Sequence, residues 1–151
     1  MTWWQDFENE APEFAARVRA RFESAKHCTL ATLRKDGSPR ISGTEVGFSG
    51  GDLRLGSMPG SLKALDLRRD PRLALHGPMS DMPEENPSAY PGDVKIAGIA
   101  HELGDPAQLT ESHFFRIEIT EVVLVRVAET NDHLVIESWH PGRGHETRTR
   151  R

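Results

Sequence analysis

Residues 39–72 read PRISGTEVGFSGGDLRLGSMPGSLKALDLRRDPR, and the period of the pattern changes within them. From Pro39 to Ser49 the spacing is that of an extended strand, with Arg40, Ser42 and Thr44 on one face and Gly43 and Gly47 on the other. Gly50-Gly51-Asp52 turns the chain, and Leu53-Arg54-Leu55 alternates as a short strand does. Gly56-Ser57 ends that strand in small residues. Ser61 then opens a short helix over residues 61–69, which Asp70-Pro71 closes. Such a junction exposes backbone amides at the helix start. Those amides and the helix dipole favour an anion, and Ser57, Ser61 and Lys63 add two hydroxyls and a countercharge within one turn. At this level the same residues also read as an ordinary capped helix with a solvated lysine. The row Arg40, Ser42, Thr44 reads equally as a solvent face.

Outward from this stretch the chain keeps alternating short elements. Phe14, Val18 and Phe22 recur every four residues, which predicts a helix over 11–25. Residues 27–34 form a strand-like run that ends in Lys35-Asp36-Gly37, a tight-turn signal. Beyond the helix, Arg72–His76 reads as a strand. Residues 77–93, with Pro78, Pro83, Pro87 and Pro91, read as an irregular loop with Tyr90 as a candidate lid residue. Strands resume at Asp93–Leu103, which Gly104-Asp105-Pro106 breaks. A long one follows at 113–128, with Ile117, Ile119, Val123, Val125 and Val127 on one face. Asn131-Asp132 turns the chain into His133–Trp139. The expectation is a mainly β (α+β) fold in a single domain over 1–151. It is an antiparallel barrel or sandwich of about 6–7 strands with two or more short helices, with 1–10 and 141–151 loosely ordered.

Bulk properties remove several function classes. At 151 residues the chain is long enough for one real core, with 36% hydrophobic and 28% charged residues. A formal charge of -4 speaks against a nucleic-acid binder, whose affinity comes largely from neutralising phosphates. The single cysteine, Cys28, excludes an internal disulfide framework and lies in an apolar run, where it reads as a small buried hydrophobe. No apolar stretch approaches the ~20 residues of a membrane helix, and no secretory signal opens the chain, so a cytoplasmic protein is expected. The 7 histidines form no metal-binding spacing and read as surface residues, so no metal is expected. Neither a nucleophile elbow nor a glycosidase-like carboxylate pair is present.

In its order of parts the sequence resembles the pyridoxamine 5′-phosphate oxidase-like superfamily of flavin- and deazaflavin-binding split barrels. The resemblance rests on strand 27–34 with its Asp-Gly turn, Pro39-Arg40 on the returning strand, the small-residue strand end, Ser61-x-Lys63 and the helix closed by Arg69-Asp70-Pro71. It is good over 11–76 and looser over 93–140. It implies a homodimeric split β-barrel that holds flavin mononucleotide (FMN) at the subunit interface and passes hydride or electrons to or from a small organic substrate. Arg40, Ser42, Gly43 and Thr44 would line the cofactor. Gly56, Ser57, Ser61, Leu62 and Lys63 would surround its phosphate, and Trp139 would reach the partner's cofactor. Lys95 is a weaker candidate. Alternatives on the same scaffold are a coenzyme F420-dependent reductase and a non-catalytic flavin- or haem-binding protein. The chain departs from true pyridoxamine phosphate oxidases: Leu62 replaces an arginine beside the phosphate lysine, Glu45 or its neighbours stand where a substrate lysine belongs late on the second strand, and no Tyr-x-x-x-Arg-x-x-x-Ser pattern occurs. Vitamin B6 oxidation is therefore not expected, and no catalytic side chain is assigned.

Overall fold

The computed structural model describes residues 1–104 and 112–151. Helices α1 (Trp4–Glu10) and α2 (Pro12–Glu23) lead into β1 (Cys28–Leu33), β2 (Pro39–Thr44), β3 (Val46–Ser49) and β4 (Asp52–Ser57). Helix α3 (Leu62–Arg69) and β5 (Arg72–His76) follow, then β6 (Asp93–Leu103), β7 (His113–Val127), β8 (Leu134–His140) and β9 (Gly144–Arg150). The turn expected at Gly104-Asp105-Pro106 lies partly outside the described residues, and Gly104 alone is seen, following β6.

All strand pairs are antiparallel, in the order β2-β1-β5-β6-β7-β4-β3, with β8 continuing from β7 and β9 from β8. The β1–β2 hairpin closes with Leu33 opposite Pro39, through a turn in which Gly37 takes φ 86°, a conformation that costs glycine nothing. The expected single strand at 39–49 is two. At Glu45 the chain leaves its pairing with β1 and begins pairing with β4, and this is where the barrel splits. The long β6–β7 ladder bends at a register shift between Ala97 and Gly98. A Cβ at Gly98 would sit 2.3 Å from the Glu118 carbonyl oxygen, so the approach needs glycine.

Leu30, Leu53, Leu55, Leu75, Ile96, Phe115, Ile117, Ile119 and Leu124 fill the barrel. Both termini, expected to be loosely ordered, are built into it. Trp4 and Phe7 of α1 are buried, their rings 5.1 Å apart, and the chain of rings continues to Phe48, Phe14 and Trp139. Each such ring removed from water contributes roughly 1.5–3 kcal/mol, enough to hold a seven-residue helix that is marginal alone. At the other end, β9 pairs with β8 along its whole length, from His140–Gly144 to Leu134–Arg150. Cys28 is buried as expected, and burial pushes its thiol up to about 11, which disfavours the thiolate. No helix among the described residues is long and apolar enough to cross a membrane.

Candidate functional site

The segment between β4 and α3 forms the site. Ser61 caps α3, its Oγ accepting from the Ala64 amide at 3.3 Å, and the same oxygen shares a short hydrogen bond with Ser57 Oγ. Lys63, one turn on, reaches across to β2 and donates to the Gly43 carbonyl at 2.9 Å. Among the described residues it pairs with no carboxylate, so its charge is available to a ligand. Two open clefts meet at this lysine. The larger, about 790 Å³, is walled by Gly43, Thr44, Gly56 and Ser57 and rimmed by Glu45 and Phe114. The smaller, about 380 Å³, lies between Arg40, Ile41, Ser42, Ser61 and Leu62.

Behind the clefts, two polar clusters fix α3. Asp66, nearly fully buried, accepts from Thr32 at 2.8 Å, Arg40 at 2.7 Å and Arg69 at 2.9 Å. Burial alone would raise its pKa. The hydrogen bonds from Arg40, Thr32 and Arg69 outweigh that and hold it below the usual carboxylate range. The second cluster is centred on His113, which is 3% exposed. The Gly60 amide donates to His113 Nε2 at 3.0 Å, so that nitrogen carries no proton. The ring proton therefore sits on Nδ1, facing Glu102 Oε1 at 3.4 Å and leaving Arg68 Nη2, at 3.2 Å, as a non-bonding neighbour. Arg68 grips Glu102 through Nε at 2.9 Å and Nη2 at 2.7 Å, and this pairing, against burial, depresses the glutamate pKa. The chain Arg68–Glu102–His113–Gly60 thus fastens the loop that presents Ser61 and Lys63.

Nine of the ten expected site residues converge here: Arg40, Ser42, Gly43, Thr44, Gly56, Ser57, Ser61, Leu62 and Lys63 line the two clefts. Two of them differ in character from expectation. Arg40 is committed to Asp66 and buttresses the wall. Thr44 points inward, 3% exposed, with its Oγ1 unpartnered. Trp139 is elsewhere: its position on β8 faces the core, where it lies 4.9 Å from Phe7 and is 1% exposed. Tyr90 is no lid. It is buried, and its hydroxyl donates to Asp93 at 2.9 Å. Lys95 is exposed on β6 and lines neither cleft. His113 escaped the reading of all histidines as surface residues. Its one sequence signal is its inward parity on β7, in phase with Phe115, Ile117 and Ile119.

A family model described as pyridoxamine 5′-phosphate oxidase matches residues 14–129. The chain belongs to that family. Among solved structures, it is similar to a pyridoxamine 5′-phosphate oxidase-related, FMN-binding protein from Nostoc punctiforme (TM-score 0.66, 11% identity, covering 93% of this chain and 96% of that one). It is also similar to HutZ, the haem storage protein of Vibrio cholerae (TM-score 0.58, 13% identity, 81% and 98% covered). A third is an F420 reductase (TM-score 0.50, 17% identity, 68% and 92% covered). At these identities the likeness is one of fold. No curated protein matches the sequence. The pyridoxamine 5′-phosphate oxidase match runs from α2 through β7 and so contains both clefts, whereas α1, β8 and β9 lie outside it.

Proposed function

We propose that the chain binds FMN, with the phosphate on Ser57, Ser61 and Lys63, and acts as a flavin-dependent oxidoreductase on a small organic molecule. The observation that carries this reading is Lys63, an unpaired cation at a capped helix start, joining two clefts whose walls hold polar groups without protein partners. The fit is specific. Thr44 Oγ1 is buried beside the larger cleft with its hydrogen-bonding capacity unused. Gly43 and Gly47 line the same cleft, and a side chain at either would project into its free space. The two serine hydroxyls are hydrogen-bonded to each other, and both can turn to an anion.

When bound, FMN supplies the hydride and electron chemistry. The chain's own residues hold and orient it. Lys63 and the start of α3 balance the phosphate charge, Asp66 and Arg40 keep α3 against β2, and His113 fixes the Gly60 amide. At the exposed rim of the larger cleft His27 Nε2 lies 3.4 Å from Glu45 Oε1, away from Lys63 and the serines that would hold the phosphate. The site belongs to a homodimer in this reading, and the partner closes the open side of both clefts.

A second reading, a flavin or haem carrier without turnover, is favoured by Leu62 and Glu45, which put an apolar and an acidic side chain around a site for an anion. An F420-dependent reductase is the third. Absorption spectra of the purified protein, alone and after addition of FMN and then coenzyme F420, separate them. Retained FMN that is reduced by a nicotinamide donor and reoxidised by an acceptor supports the oxidoreductase. FMN retained without turnover, or a haem band, supports the carrier, and retention of F420 alone supports the reductase. Retention of none overturns the cofactor site.

A further inference from the structure

A third cleft, of about 430 Å³, lies between α2, the segment leading into β6 and the end of β7, and shares no lining residue with the two clefts at Lys63. Three arginines line it, Arg17, Arg21 and Arg126, together with Ser88 and Tyr90. Their charges are unequally compensated. Glu137, buried behind them, takes both terminal nitrogens of Arg17 at 2.6 Å, Arg126 Nε at 3.1 Å and His145 Nε2 at 3.1 Å. Glu129 stands at the exposed rim, and Asp93 is held by the Tyr90 hydroxyl.

Arg21 has no such partner. It is 7% exposed, yet no carboxylate lies within 4.0 Å of it among the described residues. Its Nε donates to the Gly92 carbonyl at 2.9 Å, and its Nη2 to the Pro78 carbonyl at 3.2 Å and toward the Tyr90 hydroxyl at 3.5 Å. Nη1 makes no hydrogen bond within the described chain. Neutral carbonyls orient a guanidinium without cancelling its charge, and a buried charge left uncompensated is costly. Here that cost falls beside an open cleft, and the neighbouring arginines add free N–H groups on the same walls. Arg126 engages Glu137 only through Nε, which leaves its two terminal nitrogens.

We propose that this cleft is a binding site for a small oxyanion, a carboxylate or a phosphate, seated on Arg21 between Arg17 and Arg126. The planar guanidinium matches the paired oxygens of either group. The site is independent of the proposed flavin site and stands whether or not a flavin binds.

The test follows the Arg21 Nε–H and Tyr90 ring resonances by NMR during separate titrations with inorganic phosphate and with succinate. It uses the full chain, the Lys63→Ala variant and the Arg126→Gln variant. Arg126→Gln keeps Glu137 held by Arg17 and His145, so the fold is retained, and the dispersion of the spectrum confirms it. Both resonances are expected to shift saturably, with the same affinity in Lys63→Ala and an affinity about tenfold or more weaker in Arg126→Gln. Tighter binding of phosphate assigns the natural ligand to phosphate compounds, and tighter binding of succinate assigns it to carboxylates. Absence of saturation with both probes overturns the proposal. So does loss of the shifts in Lys63→Ala, or an unchanged affinity in Arg126→Gln.

Discussion

At the scale of single residues, Lys63 and Asp66 sit three positions apart on one helix and are expected to fail differently. Lys63 is half-exposed and holds only the Gly43 carbonyl, so Lys63→Ala should leave the denaturation midpoint nearly unchanged. Its loss should weaken FMN binding by ~1–3 kcal/mol, a charge-assisted contact to phosphate. A fluorescence titration with FMN reads this directly, and an unchanged dissociation constant removes Lys63 from the site. Asp66→Ala should instead cost about 3–5 kcal/mol of stability, because it strands Arg40 and Thr32 without their acceptor. Urea denaturation measures that loss, and a cost below about 1 kcal/mol would mean the cluster relaxes onto water. The same pair shows what the sequence discloses. Ser57, Ser61 and Lys63 were legible because an N-cap, a short spacing and a countercharge are local. The job of Arg40 was not, because its acceptor lies 26 residues away and only the fold brings the two together.

Elements differ in how far their roles are written locally. Strand β1 alternates and was legible, as was β7 up to Ile119. The bulge opposite Ala97 and Gly98 then passes the buried face to Val122 and Leu124, so Val123, Val125 and Val127, expected on the face of Ile117, lie off the core. Strand β9, GHETRTR, carries no apolar residue, and its side chains are mostly exposed. What places it is its backbone ladder with β8 and the anchor of His145, stacked 4.4 Å over Phe14 and bonded to Glu137, and neither leaves a hydrophobic pattern. Helix α1 was missed because seven residues with two buried rings are too few for a period. The loop between β4 and α3 depends likewise on a distant strand, through Gly60 and His113, 53 positions apart. His113→Asn should leave the barrel folded, speed hydrogen exchange at the Gly60 amide and weaken FMN binding about fivefold or more. Equal exchange rates in variant and parent would show that the amide does not need the ring.

The clamp of α2 onto β8 sets the acid response of these elements. Arg17's hydrogen bonds, helped by Arg126 and opposed by burial, lower the Glu137 pKa from 4.5 to about 2. A carboxylate depressed on folding stabilises the native state fully above its unfolded value. That stability declines as pH falls through the window from about 4.5 to about 2 and is gone below it. For a side chain only 5% exposed the shift corresponds to roughly 3–4 kcal/mol. Glu137→Gln should therefore be less stable than the parent by that amount at pH 6, and the gap should shrink steadily toward pH 2. Urea midpoints for both proteins across this range check it. A gap that stays constant with pH would assign the effect to lost packing.

For the molecule as a whole, the distribution of exposed apolar side chains is the informative feature. Ile41, Met58, Leu62 and Phe114 are each more than half exposed, and all four surround the clefts at Lys63. Scattered apolar residues need no explanation, but four around one polar site mark a surface that another surface covers. A second copy of the chain fits best. The clefts are open on this side, and the barrel splits at Glu45 beside them. Burying the four side chains would also exclude water from the phosphate and strengthen its attraction to Lys63. Sedimentation velocity is expected to give twice the chain mass, and Ile41→Asp with Leu62→Asp to give a monomer that binds FMN at least tenfold more weakly while keeping its far-ultraviolet spectrum. Both residues also line the smaller cleft, where a new carboxylate repels the phosphate directly, so the monomer mass is the readout that reports the interface. A parent protein that sediments as a monomer with full FMN affinity would make each chain sufficient for its own site. The four apolar side chains would then belong to the docking of the organic substrate.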